Sequence, residues 1–184
     1  MSKAYVLLAE GFEEVEALTV VDLMRRAGID VKLVSITDDV SVLSSHNVQI
    51  VADTLIADIA SSPADMLVLP GGRKGVDNLK ASDAVKSLIT EYNDAGRYLA
   101  AVCAGPTVYG QMGLLEGRKA TCYPGFENEL LGAEWTGNDV KVACDGNFIT
   151  GRSLGLSIDF ALKLIEVLEG KDAADDVESK IVRG

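Results

Sequence analysis

Cys103 stands in the run Tyr98-Leu-Ala-Ala-Val-Cys-Ala-Gly-Pro106: an apolar stretch, one cysteine, small residues, then a helical pattern from Thr107 to Leu115. That order describes a buried strand turning sharply into a helix. A cysteine at such a turn presents its sulfur over a helix N-terminus, where free N–H groups and aligned peptide dipoles favour the thiolate. It is the sulfur counterpart of the nucleophile elbow. The alternative is an inert thiol packed as a small hydrophobe, a common fate of free cysteine.

Glu16 is the second candidate. The helical pattern Glu13–Ala27 carries an apolar stripe of Phe12, Val20, Leu23 and Ala27, and Glu16 falls within it, beside Thr19. A carboxylate facing a core costs on the order of several kcal/mol unless it is paired or protonated. As a protonated acid it can donate a hydrogen bond to a thiolate, and two such neighbours titrate as a unit. Glu13 and Glu14 point elsewhere and suit an acidic first turn that stabilises the helix dipole. Pro70-Gly-Gly72 follows an apolar strand. Its glycines let backbone N–H groups face a ligand. With the Ala104 N–H at the next helix N-terminus, they form a candidate oxyanion hole, with a plain tight turn as the alternative. His46, in Ser44-Ser-His-Asn47, reads as a surface residue. Arg25 and Arg26 complement a helix C-terminus.

These residues need elements to position them. Apolar strands are expected at Ala4–Ala9, Val31–Ile36, Ala64–Leu69 and Tyr98–Val102, with a hairpin or edge ribbon over Ser41–Val51. Helices are expected over Glu13–Ala27, closed by Gly28, and Asp83–Ala95, capped by Ser82 or Asp83 and closed by Gly96. Further on come a short strand at Lys119–Tyr123, a short helix at Phe126–Leu131 and a hairpin of Val140–Cys144 with Phe148–Thr150. Ser157–Leu168 is an amphipathic helix ending at Gly170, and the charged tail Lys171–Gly184 holds one last short helix. Continuous apolar strands alternating with helices indicate a mostly parallel sheet covered on both faces, a doubly wound α/β fold. Ligands bind such sheets outside the carboxyl ends of the strands, where the Glu10–Glu14 loop, Pro70–Gly72 and Cys103 should converge.

The 184 residues suit a single domain with a sizeable core, and 48% hydrophobic with 24% charged residues marks a globular chain. A net charge of −11 argues against nucleic-acid and anionic-membrane partners. No signal-peptide core or membrane span is visible. Cys103, Cys122 and Cys144 are widely spaced, without CxxC or zinc-site spacing, which suits free thiols in the cytosol and no metal. Cys122 and Cys144 read as structural thiols in short strands. Leu18 and Val21, on the expected outer face of the first helix, hint at a homodimer contact.

Together these runs resemble the ThiJ/PfpI superfamily, nearest the branch of YajL and the human parkinsonism-associated protein deglycase. The resemblance rests on Ala9-Glu-Gly-Phe-Glu-Glu-Val-Glu16, Met24-Arg-Arg-Ala-Gly28, Val68-Leu-Pro-Gly-Gly72, Ala101-Val-Cys-Ala-Gly-Pro106, Lys119-Ala-Thr-Cys-Tyr-Pro124 and Thr150-Gly-Arg152, and covers essentially the whole chain. It implies a flavodoxin-like, class I glutamine amidotransferase-like fold. It also implies Cys103 as an oxidisable nucleophile, Glu16 as its buried acid, and the Gly72 and Ala104 N–H groups as the oxyanion hole. A homodimer burying the first helix is implied too, with His46 and Arg26 as contacts to substrate or the partner subunit. Where several members carry a histidine, this chain has Tyr123, so a Cys-His peptidase pair is not available there.

The function implied is a cofactor-free, cysteine-dependent enzyme acting on small reactive carbonyls. It would be of glyoxalase III or deglycase type, protecting against carbonyl and oxidative stress, with a small aldehyde or glycated molecule as substrate. The alternative is a redox sensor or oxidation-activated chaperone without turnover, using Cys103 sulfenic or sulfinic acid.

Overall fold

The computed structural model describes residues 1–183. The chain runs β1 (Lys3–Leu8), α1 (Glu14–Arg26), β2 (Asp30–Ser35), the hairpin β3 (Ser41–Leu43) and β4 (Gln49–Val51), β5 (Thr54–Leu55), β6 (Met66–Leu69), α2 (Arg73–Ala81), α3 (Asp83–Asp94) and β7 (Tyr98–Val102). It continues through α4 (Pro106–Gln111), β8 (Lys119–Ala120), β9 (Glu134–Trp135), β10 (Val142–Asp145), β11 (Phe148–Gly151), α5 (Ser157–Glu169) and α6 (Lys171–Lys180).

Seven strands form the central sheet in the order β10-β11-β7-β6-β1-β2-β5. All neighbours are parallel except β10, which pairs antiparallel with β11. The five strands β2, β1, β6, β7 and β11, ranked by their place in the chain, read 2-1-3-4-5, the flavodoxin-like winding. The doubly wound fold is therefore as expected, in one domain.

The two faces explain the continuous apolar strands. Ala4, Val6 and Leu8 of β1 pack with α1, α5 and α6, while Tyr5 and Leu7 pack with α2, α3 and α4. Side chains alternate across a strand, so covering both faces requires apolar residues at every position. Ser82 caps α3, its Oγ accepting the Val85 N–H at 3.3 Å.

Several local expectations are corrected. α2 lies where no helix was expected: its Arg-Lys-Gly-Val-Asp-Asn-Leu sequence is mostly polar, and only Gly75, Val76 and Leu79 are buried. β5 and β9 are two-residue strands below the length that pattern detects. The Lys119–Tyr123 strand stops at Ala120, so Cys122 is a buried loop residue. Phe126–Leu131 holds only a 3-10 turn at Glu127–Glu129, and the helix after Cys103 ends at Gln111. Val21 is buried, whereas Val15 and Leu18 are the apolar residues that α1 exposes. Among the described residues, no helix is long and apolar enough to cross a membrane.

Candidate active site

In the sheet β6 lies between β1 and β7. The segments leaving their carboxyl ends are therefore neighbours, and each carries one part of the site. β1 leads into α1 with Glu16, β6 into Pro70-Gly71-Gly72, and β7 into Cys103. The winding reverses between β1 and β6, which makes this edge the topological switch point.

Cys103 adopts φ +62°, a left-handed backbone that a side-chain-bearing residue occupies at a cost of about 1–3 kcal/mol. The strand-to-helix turn forces it. Cys103 N–H donates to Gly151 O at 3.0 Å, and Cys103 O accepts the Tyr123 N–H at 2.8 Å, so the turn is pinned from two sides. The sulfur is half-buried. The backbone N–H groups of Gly72 and Ala104 act on it as hydrogen-bond donors. Gly72 reaches its position with φ +87°, a conformation glycine alone adopts freely.

Glu16 is 1% exposed. Its Oε2 accepts the Gly71 N–H at 2.7 Å, while its Oε1 is buried without a partner of good hydrogen-bond geometry. The Cys103 thiol acts on the same carboxyl from the side, without the geometry of a well-formed hydrogen bond. Burial pushes the Glu16 pKa up to about 7, with the Glu13 charge adding to the rise; the Gly71 N–H and the thiol oppose it. Burial also pushes the Cys103 thiol up, and the Glu16 charge pushes it further; the Ala104 and Gly72 donors only partly offset this. The Ala104 and Gly72 N–H groups act in the direction expected of the helix N-terminus, toward the thiolate, and burial beside the Glu16 carboxylate opposes them. α4 is short, and desolvation beside a carboxylate outweighs its donors. Two negative charges cannot share this pocket, so the pair holds one proton near neutral pH and titrates as a unit.

Gly71 is the residue that sequence reasoning missed. A methyl group there would sit 2.6 Å from Glu16 Oε2, 2.7 Å from Cys103 Cβ and 3.0 Å from the sulfur. Both reacting side chains occupy the space a larger residue would need. The sequence pattern marks both glycines as a turn that frees N–H groups, and the resemblance names only the second, because neither signal carries the packing around the first. Gly71→Ala is expected to lower the unfolding free energy by about 1–3 kcal/mol, the usual cost of overpacking. Urea denaturation monitored by circular dichroism measures it, and an unchanged midpoint would refute the tight packing.

A cavity of about 330 Å³ opens over the sulfur. Glu13 and Glu16 line one side; Arg73, Tyr123, Phe126 and Leu154 complete the wall. Tyr123 is half-exposed there. A larger open depression of about 520 Å³ lies around Tyr98 and Asn147, at the opposite edge of the sheet, and contains no nucleophile.

Within one chain, His46 and Arg26 do not line the cavity, though His46 Nδ1 lies 3.7 Å from Oε2 of the lining Glu13. His46 is on the hairpin between β3 and β4, 69% exposed, with Nδ1 3.1 Å from Glu14 Oε1. Ser45 Oγ donates toward Glu13 Oε2 at 2.9 Å and Glu14 Oε2 at 3.1 Å. Glu13, Glu14 and His46 are the one grouping of metal-ligating side chains among the described residues. The Ser45 bonds account for its carboxylates without an ion. Arg26 ends α1, roughly 18 Å along the axis from Glu14, and pairs with Asp22 at 2.8 Å on the surface. Cys144 is exposed on β10.

Comparison with known proteins joins this geometry to a lineage. The DJ-1/PfpI family model matches residues 2–167. The chain is 39% identical over 181 residues to protein DJ-1 homolog B of Arabidopsis thaliana, covering 98% of this chain and 41% of that protein. It thus spans less than half the length of that relative. It is 39% identical over 178 residues to protein dj-1beta of Drosophila melanogaster, covering 96% and 95%. A deglycase of Pyrococcus horikoshii is 29% identical over 152 residues, covering 82% and 89%. Among solved structures, the C103A mutant of a DJ-1 superfamily protein from Salmonella typhimurium superposes with a TM-score of 0.95 at 33% identity, covering all of both chains. The oxidized DJ-1 of Toxoplasma gondii gives 0.92 at 32%, again over both whole chains.

Proposed function

The chain belongs to the DJ-1/PfpI family, and from that premise we propose that it is a cofactor-free enzyme converting small α-oxoaldehydes into hydroxy acids through Cys103. The observation that carries this reading is the buried thiol–carboxyl pair beneath an open cavity, with two backbone donors on the sulfur side. Such a pair holds one mobile proton, which aldehyde isomerisation needs. The named deglycase among the relatives supports carbonyl chemistry of this general kind.

The steps balance without an external oxidant. Cys103 sulfur forms a bond to the aldehyde carbon, and the pair's proton passes to the carbonyl oxygen, giving a hemithioacetal and a Glu16 carboxylate. Glu16 then removes the hydrogen from that carbon as a proton, forming an enediolate with its charge on the neighbouring oxygen. Glu16 returns the proton to the adjacent carbon, while the hydroxyl proton of the first carbon passes to the neighbouring oxygen. The old aldehyde carbon is now a thioester and the old ketone an alcohol, so one carbon is oxidised and its neighbour reduced. Water cleaves the thioester, releasing the hydroxy acid and restoring the thiol. The Gly72 and Ala104 N–H groups hold oxygen charge during the additions.

A second reading has its own support. A sulfinic acid on Cys103 would meet the unpartnered Glu16 Oε1, which as a protonated acid can donate to it. An oxidized relative has been solved. In this reading the protein senses peroxide or acts as an oxidation-activated chaperone. Association into a homodimer through α1 accounts for the exposed Val15 and Leu18, and a reducing cytosol for three free thiols. The deciding measurement is product formation. Purified protein given methylglyoxal should yield lactate. Absence of lactate, together with selective oxygen addition at Cys103 under mild peroxide, would favour the sensor instead.

A further inference from the structure

Arg73 is the cation among the residues that line the cavity over Cys103. It opens α2, whose N-cap Gly72 offers no side-chain cap and whose first turn has no acidic residue, although the Gly75 N–H donates to Gly11 O at 3.1 Å. The Arg73 guanidinium carbon lies 5.0 Å from the centre of the Phe126 ring. Tyr123 meets that ring edge-on at 6.2 Å and 76°. This stack orients the guanidinium over the cavity wall. Its carboxylate neighbour, Asp77, is 3.7 Å away, and both side chains are more than half exposed. That separation exceeds a hydrogen bond and leaves the planar N–H fork available.

Glu13 is held toward the hairpin by Ser45 Oγ, and Glu16 is turned inward to Gly71. The cavity thus has among its lining residues a nucleophile with its acid and a ring-stacked cation. Its volume of about 330 Å³ is enough for a ligand longer than a three-carbon aldehyde. On a chain of net charge −11, a guanidinium lining this cavity is a local positive charge that an anionic group can meet.

We propose that Arg73 is a specificity-determining residue that selects α-oxoaldehydes ending in a carboxylate, by pairing with the carboxylate while the aldehyde meets Cys103. The inference rests on the carbonyl reading above and names the substrate class for that same site. A carboxylate matches the planar fork bidentately.

The probe pair is 4,5-dioxopentanoate, which carries the carboxylate, and 2-oxopentanal, which lacks it. Each gains one water and nothing else, giving 2-hydroxyglutarate and 2-hydroxypentanoate. Arg73→Leu is expected to lower kcat/KM for the acid by about ten- to a hundredfold, the range for losing a charge-assisted hydrogen bond. The loss should fall mainly on KM, because the contact is remote from the reacting carbons. The neutral aldehyde should change by less than about twofold, and Arg73→Lys should restore part of the loss. An equal loss on both substrates, or none on the acid, would overturn the proposal while leaving the carbonyl reading standing. If the wild-type protein converts neither, the carbonyl reading itself fails and this inference falls with it.

Discussion

Cys103→Ser is expected to reduce lactate formation from methylglyoxal by at least about a thousandfold, on the scale seen when a covalent nucleophile is removed. The serine hydroxyl occupies nearly the same space at φ +62°. The fold should persist, and circular dichroism should not change. What is lost is the ionisable sulfur. A hydroxyl loses its proton far less readily than a thiol, and the pocket that already raises the thiol would raise it further. The same variant tests the competing reading. Mild peroxide should add oxygen to the wild-type protein at Cys103, which lines the open cavity, and leave Cys122, which is buried. Exposed Cys144 is the internal control. Lactate formation by the serine variant at the wild-type rate would remove Cys103 from the mechanism.

Glu16→Gln is expected to slow turnover by about 10²- to 10⁴-fold, the range for general acid–base groups. The amide oxygen can still accept the Gly71 N–H, so the packing survives while the mobile proton does not. A stability signature accompanies it. The Glu16 pKa is raised from 4.5 to about 7 in the folded protein, chiefly by burial. Between those values the folded state binds more protons than the unfolded state, so stability falls as pH rises. The contribution is fully present below pH 4.5 and is lost by about pH 7, a change of about 3 kcal/mol. The glutamine variant lacks this slope and should gain on the wild type as pH increases. Urea midpoints at pH 5 and pH 8 measure the difference. Parallel pH dependence in the two proteins would refute the buried-acid assignment.

Much of the fold was legible because burial on both faces leaves a strong trace. β1, β2, β6 and β7 are continuous apolar runs, and glycines follow α1, α3 and α5 where those helices end. α2 was not legible, since a short helix with three buried residues has almost no apolar stripe. Its absence from the sequence reading had a consequence: Arg73, at its first turn, drew no notice until the helix placed it beside Phe126. Val21, expected on the outer face, is covered because the helix's rotation against α5 and the sheet, and not its composition, decides which apolar residues are buried.

By itself the sequence determined that a cysteine follows one apolar strand, that a glutamate sits on the buried stripe of the first helix, and that a Pro-Gly-Gly turn follows another strand. Each statement concerns residues near one another in the chain, where periodicity and turn chemistry act. Only the tertiary structure decided what those residues do to each other. Placing β6 between β1 and β7 brings Glu16 and Cys103 to the two sides of Gly71, at contacts too close for any side chain there. Desolvation at that contact pushes both acids up, against the N–H donors that the local turn supplies. A pKa depends on the charges and water around a group, and those come from segments tens of residues away in the chain.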